Sequence, residues 1–350
     1  MDIKEIAALP STTLNCLVDQ IGNTAMLPIR LIIHGRAHIV SLKLEGANPT
    51  GSMKDRTGLS LIRQIERDNL ITDRSIIIES TSGNLGVALA LCCKARNYNF
   101  LAVVDPKATP ENLEKMRLLG AQIEVVDQPD EAGGYLLSRL ARIQELCAQA
   151  ATYIWTNQYG NPANPLIHFT TTGPEIYRQM MGNVGAIFIP VSTGGTLAGV
   201  ARFFRSASPS TQIIGVDAYG SVVFGTPPAP RKLNGIGSSR LSSFLSSDLY
   251  DASIIVRDEE AFAFCRFLHL AGNMKVGGSS GAVLSACARY LSAHPEVENV
   301  VCLCADDGEN YASTIFNDEW LKQQHLSLLR DCLGTVEDIE ILSAQPHCLT

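Results

Sequence analysis

Short runs of β-branched and aliphatic residues recur along this chain with helix-length stretches between them. That alternation limits the fold more than any other feature. The runs at 37–44, 75–79 (Ser-Ile-Ile-Ile-Glu), 100–104, 123–126, 186–190, 212–216 and 300–304 read as strands. A Gly-rich turn at Ser82-Gly83-Asn84 opens a helix to about residue 95. Further helical stretches cover 110–119, with Thr109 as N-cap and Pro110 in the first turn, then about 132–148, 195–204, 261–270, 281–291 and 311–321. Strands that are apolar throughout and alternate with helices belong to parallel sheets buried on both faces. The expected fold is α/β, with two open, mostly parallel sheets flanked by helices. The Pro/Asn-rich stretch 157–165 is a candidate crossing between them. Residues 220–239, rich in Gly, Pro and Ser, read as a long loop of the kind that often carries function. The residues after about 325 read as a tail.

A chain of 350 residues can bury a large core and suggests about two domains of roughly 150 residues each. Hydrophobic residues make up 46%, which excludes a disordered chain. Lys plus Arg is 28 against 35 Asp plus Glu, a net charge of −7, which argues against a phosphate-tracking nucleic-acid binder. Charged residues are only 18%, so a deep cleft or a second subunit is expected to cover part of the surface. Most of the 10 cysteines lie in apolar runs and read as core residues, not as a disulfide framework. Cys302 and Cys304 alternate along one strand, with no evident His or Cys partners for a metal. The N-terminal Met-Asp-Ile-Lys-Glu lacks a secretory pattern, and no apolar segment approaches the ~18 residues of a membrane span. A reducing cytoplasm is the expected location.

Three glycine-rich turns stand at strand-to-helix junctions, where open α/β sheets collect ligands. Ser192-Thr193-Gly194-Gly195-Thr196 offers hydroxyls and backbone N–H groups at a helix start, a cup for one phosphate. It has neither a Walker lysine nor a dinucleotide fingerprint, and a tight packing turn is the alternative. Ser80-Thr81-Ser82-Gly83-Asn84-Leu85-Gly86 offers two hydroxyls and exposed amides suited to a carboxylate; a simple turn is the equal alternative. In Asn48-Pro49-Thr50-Gly51-Ser52-Met53-Lys54-Asp55-Arg56, Lys54 opens a helix, where the positive dipole end disfavours its charged form and favours nucleophilic chemistry on carbonyls. An imine-forming lysine, a monophosphate cup and a carboxylate turn together fit pyridoxal 5′-phosphate (PLP) holding an amino acid.

With these motifs the sequence resembles the fold-type II PLP enzymes, tryptophan synthase β-like in fold, of the cysteine synthase/cystathionine β-synthase family. The resemblance also rests on Ile21-Gly22-Asn23-Thr24, Lys43-Leu44-Glu45, Thr171-Thr172-Gly173-Pro174-Glu175 and Gly277-Gly278-Ser279-Ser280-Gly281, and runs colinearly from about 18 to 323. Further stretches are similar to one branch of that family: Val103-Val104-Asp105-Pro106-Lys107, Gly133-Gly134-Tyr135-Leu136, Asn157-Gln158-Tyr159, Val216-Asp217-Ala218 and Gly235-Ile236-Gly237-Ser238-Ser239-Arg240. That branch joins O-phospho-L-serine to L-glutamate through an aminoacrylate, releases phosphate, and leads to L-2,3-diaminopropionate for siderophores with a partner dehydrogenase.

The resemblance implies roles. Lys54 carries the cofactor and moves the Cα proton, Asn84 meets the PLP 3′-oxygen, and Ser192, Thr193, Gly194, Gly195 and Thr196 hold its phosphate. Ser80, Thr81, Ser82 and Gly83 bind the substrate carboxylate, while Arg139, Tyr159 and Ser192 assist in substrate binding. Arg240 is a candidate for the glutamate carboxylate or the leaving phosphate. The family usually begins the phosphate cup with Gly, and Ser192 departs from this in the manner of the diaminopropionate branch. The family also usually sets a Ser against the pyridine nitrogen. Here Cys304-Ala305-Asp306-Asp307-Gly308 makes Asp306 the expected partner and Asp307 the runner-up, with capping of the helix near Glu309 as the alternative. The implied layout is a large phosphate-binding domain from 1–46 and 160–325, a small mobile domain at 47–159, and a tail at 326–350. The site is expected in the cleft between the domains, with a homodimer as the assembly. Cysteine synthase, using sulfide, is the alternative activity.

Overall fold

The computed structural model describes residues 2–130, 134–328 and 330–342. Its strands are, in chain order, β1 (Met26–Ile33), β2 (Arg36–Leu44), β3 (Ile76–Ser80), β4 (Asn99–Val104), β5 (Gln122–Val125), β6 (Tyr153–Trp155), β7 (Ala186–Pro190), β8 (Gln212–Ala218), β9 (Ala252–Val256), β10 (Val300–Cys304) and β11 (Val336–Ile341). They build two compact units. Met1–Gly22 and Asn48–His168 form the first, and Asn23–Ala47 and Phe169–Thr350 the second.

The first unit holds a parallel four-stranded sheet in the order β5-β4-β3-β6. Successive side chains of a strand point to opposite faces, and the core divides accordingly. Ile77, Ala102 and Val104 join a cluster with Leu61, Leu89 and Met116, from helices Lys54–Arg67, Asn84–Arg96 and Pro110–Leu118. Ile78, Leu101 and Val103 pack instead with Ile143 and Leu146 of helix Leu136–Gln149. Thr109 caps the Pro110–Leu118 helix as expected, its Oγ1 accepting from Asn112 N at 3.3 Å.

The second unit holds a seven-stranded sheet in the order β11-β1-β2-β10-β7-β8-β9. The pairs from β2 to β9 are parallel, while β1 runs antiparallel to both β2 and β11. The two-faced division repeats. Ala186 and Phe188 pack with helices Asp258–Gly272 and Gly278–Ala293, and Ile187 and Ile189 pack with helix Gly195–Ala207.

Several outcomes differ from the sequence reading. The first 22 residues do not go with the sheet containing β1 and β2, because Ile6, Leu14 and Val18 are buried in the first unit's cluster with Leu61 and Leu89. The segment after 325 is not simply a tail: β11 pairs with β1 from Ile29↔Ile341 to Ile33↔Val336, and Val336 and Ile339 are buried. No single helix covers 311–321. A 3-10 turn Glu309–Tyr311 is followed by helix Asp318–Gln323, started by Asn317, whose side chain accepts from Glu319 N and Trp320 N. The expected 132–148 helix begins at Leu136, and the proposed start at 132 lies outside the described residues. Residues 219–251 contain neither helix nor strand, in keeping with the long loop expected there.

Among the described residues, none of the nine cysteines is in a disulfide. Six are buried, Cys147 and Cys332 are half-buried, and Cys16 is exposed. Among the described residues no group of His, Cys, Asp and Glu could hold a metal ion, and no helix is long and apolar enough to cross a membrane.

Candidate active site

In the first unit, Lys54 is the first residue of its helix and is half-buried. Its backbone N donates to Ser52 Oγ at 3.3 Å. The loop ahead of it is braced by buried Asp55, whose carboxylate accepts from Thr50 N at 2.7 Å and from the Thr50 hydroxyl. Lysine at a helix start is thus set by a loop whose polar groups close on themselves.

The second turn leaves the carboxyl end of β3. Thr81 N donates to Val103 O at 3.0 Å, which keeps the turn on the sheet before Gly83 starts the helix carrying Asn84. Gly86 allows close packing, since a Cβ there would lie 2.4 Å from Met116 Sδ. Ser82, Asp105 and Arg139 meet here. Ser82 Oγ donates to Asp105 Oδ2 at 2.8 Å and accepts from Asp105 N and from Arg139 Nη1, each at 3.1 Å. Arg139 Nε lies 3.2 Å from Asp105 Oδ2.

Beneath the same turn, Glu79 is fully buried and its carboxyl is pushed up by loss of hydration. Four donors oppose that shift. Ser80 N at 2.8 Å and Trp155 Nε1 at 3.3 Å reach Oε1, while Thr156 Oγ1 at 2.5 Å and Gln158 N at 2.9 Å reach Oε2. Gln158 Nε2 also donates to Ser80 O at 2.9 Å, so the segment carrying half-buried Tyr159 is fastened to the end of β3.

In the second unit, β7 ends in the Ser192–Thr196 turn. Gly194 has φ +87°, and a Cβ on it would come 2.1 Å from Ser242 Oγ and 2.9 Å from Leu245 Cγ, so glycine alone suits this bend. Thr193 and Thr196 are buried, and Gly195 begins a helix. Amides at a helix start with two hydroxyls beside them suit a phosphate monoester. The long loop braces this cup. Ser192 Oγ donates to Gly237 O at 3.0 Å, Gly237 N to Val191 O at 2.7 Å, and Ser242 Oγ to Thr193 O at 2.6 Å. Arg240, in the same loop, is half-buried, and its N donates to Ser238 Oγ at 3.2 Å.

Asp306 and Asp307 follow β10 and separate in role. Asp307 Oδ1 accepts from Glu309 N at 3.1 Å, the capping contact. Asp306 is buried, and its Oδ2 accepts from Tyr311 OH at 2.6 Å. A Cβ on Gly277 would lie 2.0 Å from Asp306 Oδ1, so this glycine makes room for the carboxylate. A buried carboxylate is a suitable acceptor for a protonated ring nitrogen.

Sequence reading had placed Ser82 and Arg139 separately, and the structure brings them together through Asp105. It had not assigned roles to Asp105, Gly237, Ser242 or Tyr311. Asp105 and Gly237 stood in motifs already noticed, whereas Ser242 and Tyr311 carried no local signal.

The chain matches the family model described as "Pyridoxal-phosphate dependent enzyme" over residues 17–306. It is 42% identical over 305 residues to an N-(2-amino-2-carboxyethyl)-L-glutamate synthase of Ralstonia nicotianae, covering 87% of this chain and 90% of the relative. A protein of the same name from Cupriavidus metallidurans is 40% identical over 311 residues, with 88% and 91% covered. Among solved structures, an O-acetylserine dependent cystathionine beta-synthase from Helicobacter pylori superposes with TM-score 0.77 at 31% identity, covering 85% of this chain and 97% of that one. The match over most of the chain, the α/β sheets and the shared fold lead to one conclusion: this chain belongs to the pyridoxal-phosphate dependent enzymes and uses pyridoxal 5′-phosphate as its cofactor.

Proposed function

We propose that the protein catalyses a β-replacement in which O-phospho-L-serine and L-glutamate give N-(2-amino-2-carboxyethyl)-L-glutamate and phosphate. The observation that carries this reading is the pair of relatives bearing that product's name at 40–42% identity over about nine-tenths of their length. Ser192 in place of the family's usual glycine supports the same branch. The product is read as a precursor of L-2,3-diaminopropionate for siderophore biosynthesis, released by a dehydrogenase. The enzyme is read as a cytoplasmic homodimer.

The residues present fit the cofactor. The Gly194 cradle with Thr193, Gly195 and Thr196 supplies donors for a phosphate, and Asp306 supplies a carboxylate for a ring nitrogen. Lys54 would hold the aldehyde carbon and Asn84 the ring hydroxyl oxygen. PLP, when bound, supplies the electron sink for charge left at Cα. Lys54 Nζ takes the Cα proton of the donor and later returns it, as a general base and then acid. Asp306 would offer its buried carboxylate to the ring nitrogen and favour its protonated form. Backbone amides of residues 80–83, with the Thr81 hydroxyl, hold the donor carboxylate, and Ser82 belongs to the same turn. Arg139, Tyr159 and Ser192 complete donor binding, and Arg240 meets the glutamate carboxylate or the departing phosphate. The C–O bond to phosphate breaks first, its electron pair leaving with the phosphate; the glutamate nitrogen then forms the new bond at Cβ and gives up a proton, and Lys54 returns its own to Cα.

Purified holoenzyme given O-phospho-L-serine with L-glutamate is expected to release phosphate and form the adduct by mass spectrometry. Lys54→Ala is expected to abolish both turnover and the visible imine absorbance. Faster turnover with sulfide than with glutamate overturns the reading in favour of a cysteine synthase.

A further inference from the structure

We propose that Asp105 is a positioning residue for the donor site, and that Ser82 serves the donor through Arg139, not through its own hydroxyl proton. The inference rests on the proposed β-replacement and deepens it. A serine hydroxyl has one proton and two acceptor lone pairs. The Ser82 proton goes to Asp105 Oδ2 at 2.8 Å, because an ionised carboxylate can only accept. Both lone pairs are also used, by Asp105 N and Arg139 Nη1 at 3.1 Å each. The hydroxyl therefore has no proton left for a substrate carboxylate.

What the arrangement does fix is the guanidinium. Ser82 Oγ accepts from Arg139 Nη1 at 3.1 Å, and Asp105 Oδ2 lies 3.2 Å from Nε as an ion-pair contact outside hydrogen-bond geometry, so the planar fork is oriented by one hydrogen bond and one charge contact. Among the described residues nothing engages Nη2, whose donors suit an anion. The Asp105 carboxylate is itself held in rotation, since its Oδ1 accepts from Lys107 N at 2.8 Å. Asp105 and Arg139 side chains are only 8% and 12% exposed, so the pair is protected from screening by water. Asp105 immediately follows β4, beside the β3 turn that carries Ser82, so two adjacent strand ends set the geometry.

The test titrates holoenzyme with O-phospho-L-serine, without acceptor, following the visible band of the cofactor. Asp105→Asn and Ser82→Ala are each expected to raise the half-saturating donor concentration roughly tenfold, as residues of one network do. The unliganded cofactor spectrum and the KM for glutamate should stay unchanged. In an Arg139→Ala background, either substitution should add less than about twofold, because its effect passes through the missing guanidinium. Ser82→Ala keeps the test available if Asp105→Asn does not fold. Equal losses in both backgrounds overturn the inference alone. So does tighter donor binding by Asp105→Asn, the result of merely removing a negative charge. A wild-type enzyme that shows no response to the donor overturns the β-replacement reading, and this inference with it.

Discussion

Asp217, near the end of β8, is fully buried, and loss of hydration pushes its carboxyl up from the ordinary 3.8 to about 6. A hydrogen bond from Ala218 N at 2.8 Å and the charge of Arg231 act the other way without cancelling it. The folded protein therefore holds this proton more tightly than the unfolded chain. Between pH 4 and 6 the folded state binds more protons, so this group makes stability fall as pH rises, and the loss is complete above about 6. Asp217→Asn should remove that fall. In urea unfolding across pH 4–7, its stability relative to wild type should improve with pH by on the order of 2 kcal/mol. A parallel pair of curves would show that Asp217 does not titrate in this range. Val216-Asp217-Ala218 was noticeable in the sequence as a motif. That its carboxylate would be buried was not, since burial comes from elements packed around β8.

At the scale of elements, Glu79 is the fastening between β3 and the chain that follows β6. Its two oxygens accept from four donors contributed by Ser80, Trp155, Thr156 and Gln158. Glu79→Gln places an NH2 group against some of those donors, and the expected cost is about 1–3 kcal/mol of stability by denaturant unfolding. Donor affinity should weaken too, because Ser80 and Tyr159 lie on the segments it joins. Burial made the central strands legible but did not decide every case: β5, with no buried residue, was read at 123–126, and β1, with three, was not. β3, β4, β7 and β10 announced themselves as short, mostly apolar runs with nearly every residue inside. β6 has three half-buried residues, and β9 is an edge with mixed exposure. Neither needs the apolar run that marks a central parallel strand.

For the molecule as a whole, the consequential edge is β11. Its sequence Val-Glu-Asp-Ile-Glu-Ile carries three acidic residues, yet Val336 and Ile339 sit in the same cluster as Ile29 and Leu31 of β1. A chain ending at Gly334 would uncover those side chains and leave β1 with unpaired N–H and C=O groups along one side, a template for association. Such a truncation is expected to lower the thermal midpoint and to scatter light on heating well before wild type does. Unchanged melting and scattering would mean that β11 contributes little to this sheet.

Residue types and their local order determined a great deal: the alternation that makes α/β sheets, the glycines that let the chain turn at strand ends, a lysine at a helix start, and through these the cofactor class. Each is set by neighbours within a turn or a strand length. The tertiary structure alone decided which distant segments meet. Ser82 and Arg139 are 57 residues apart, Ser192 and Gly237 are 45 apart, and β11 returns to β1 across most of the chain. Such contacts depend on strand order and register, which are chosen by how buried faces fit together, and no local window of sequence carries that information.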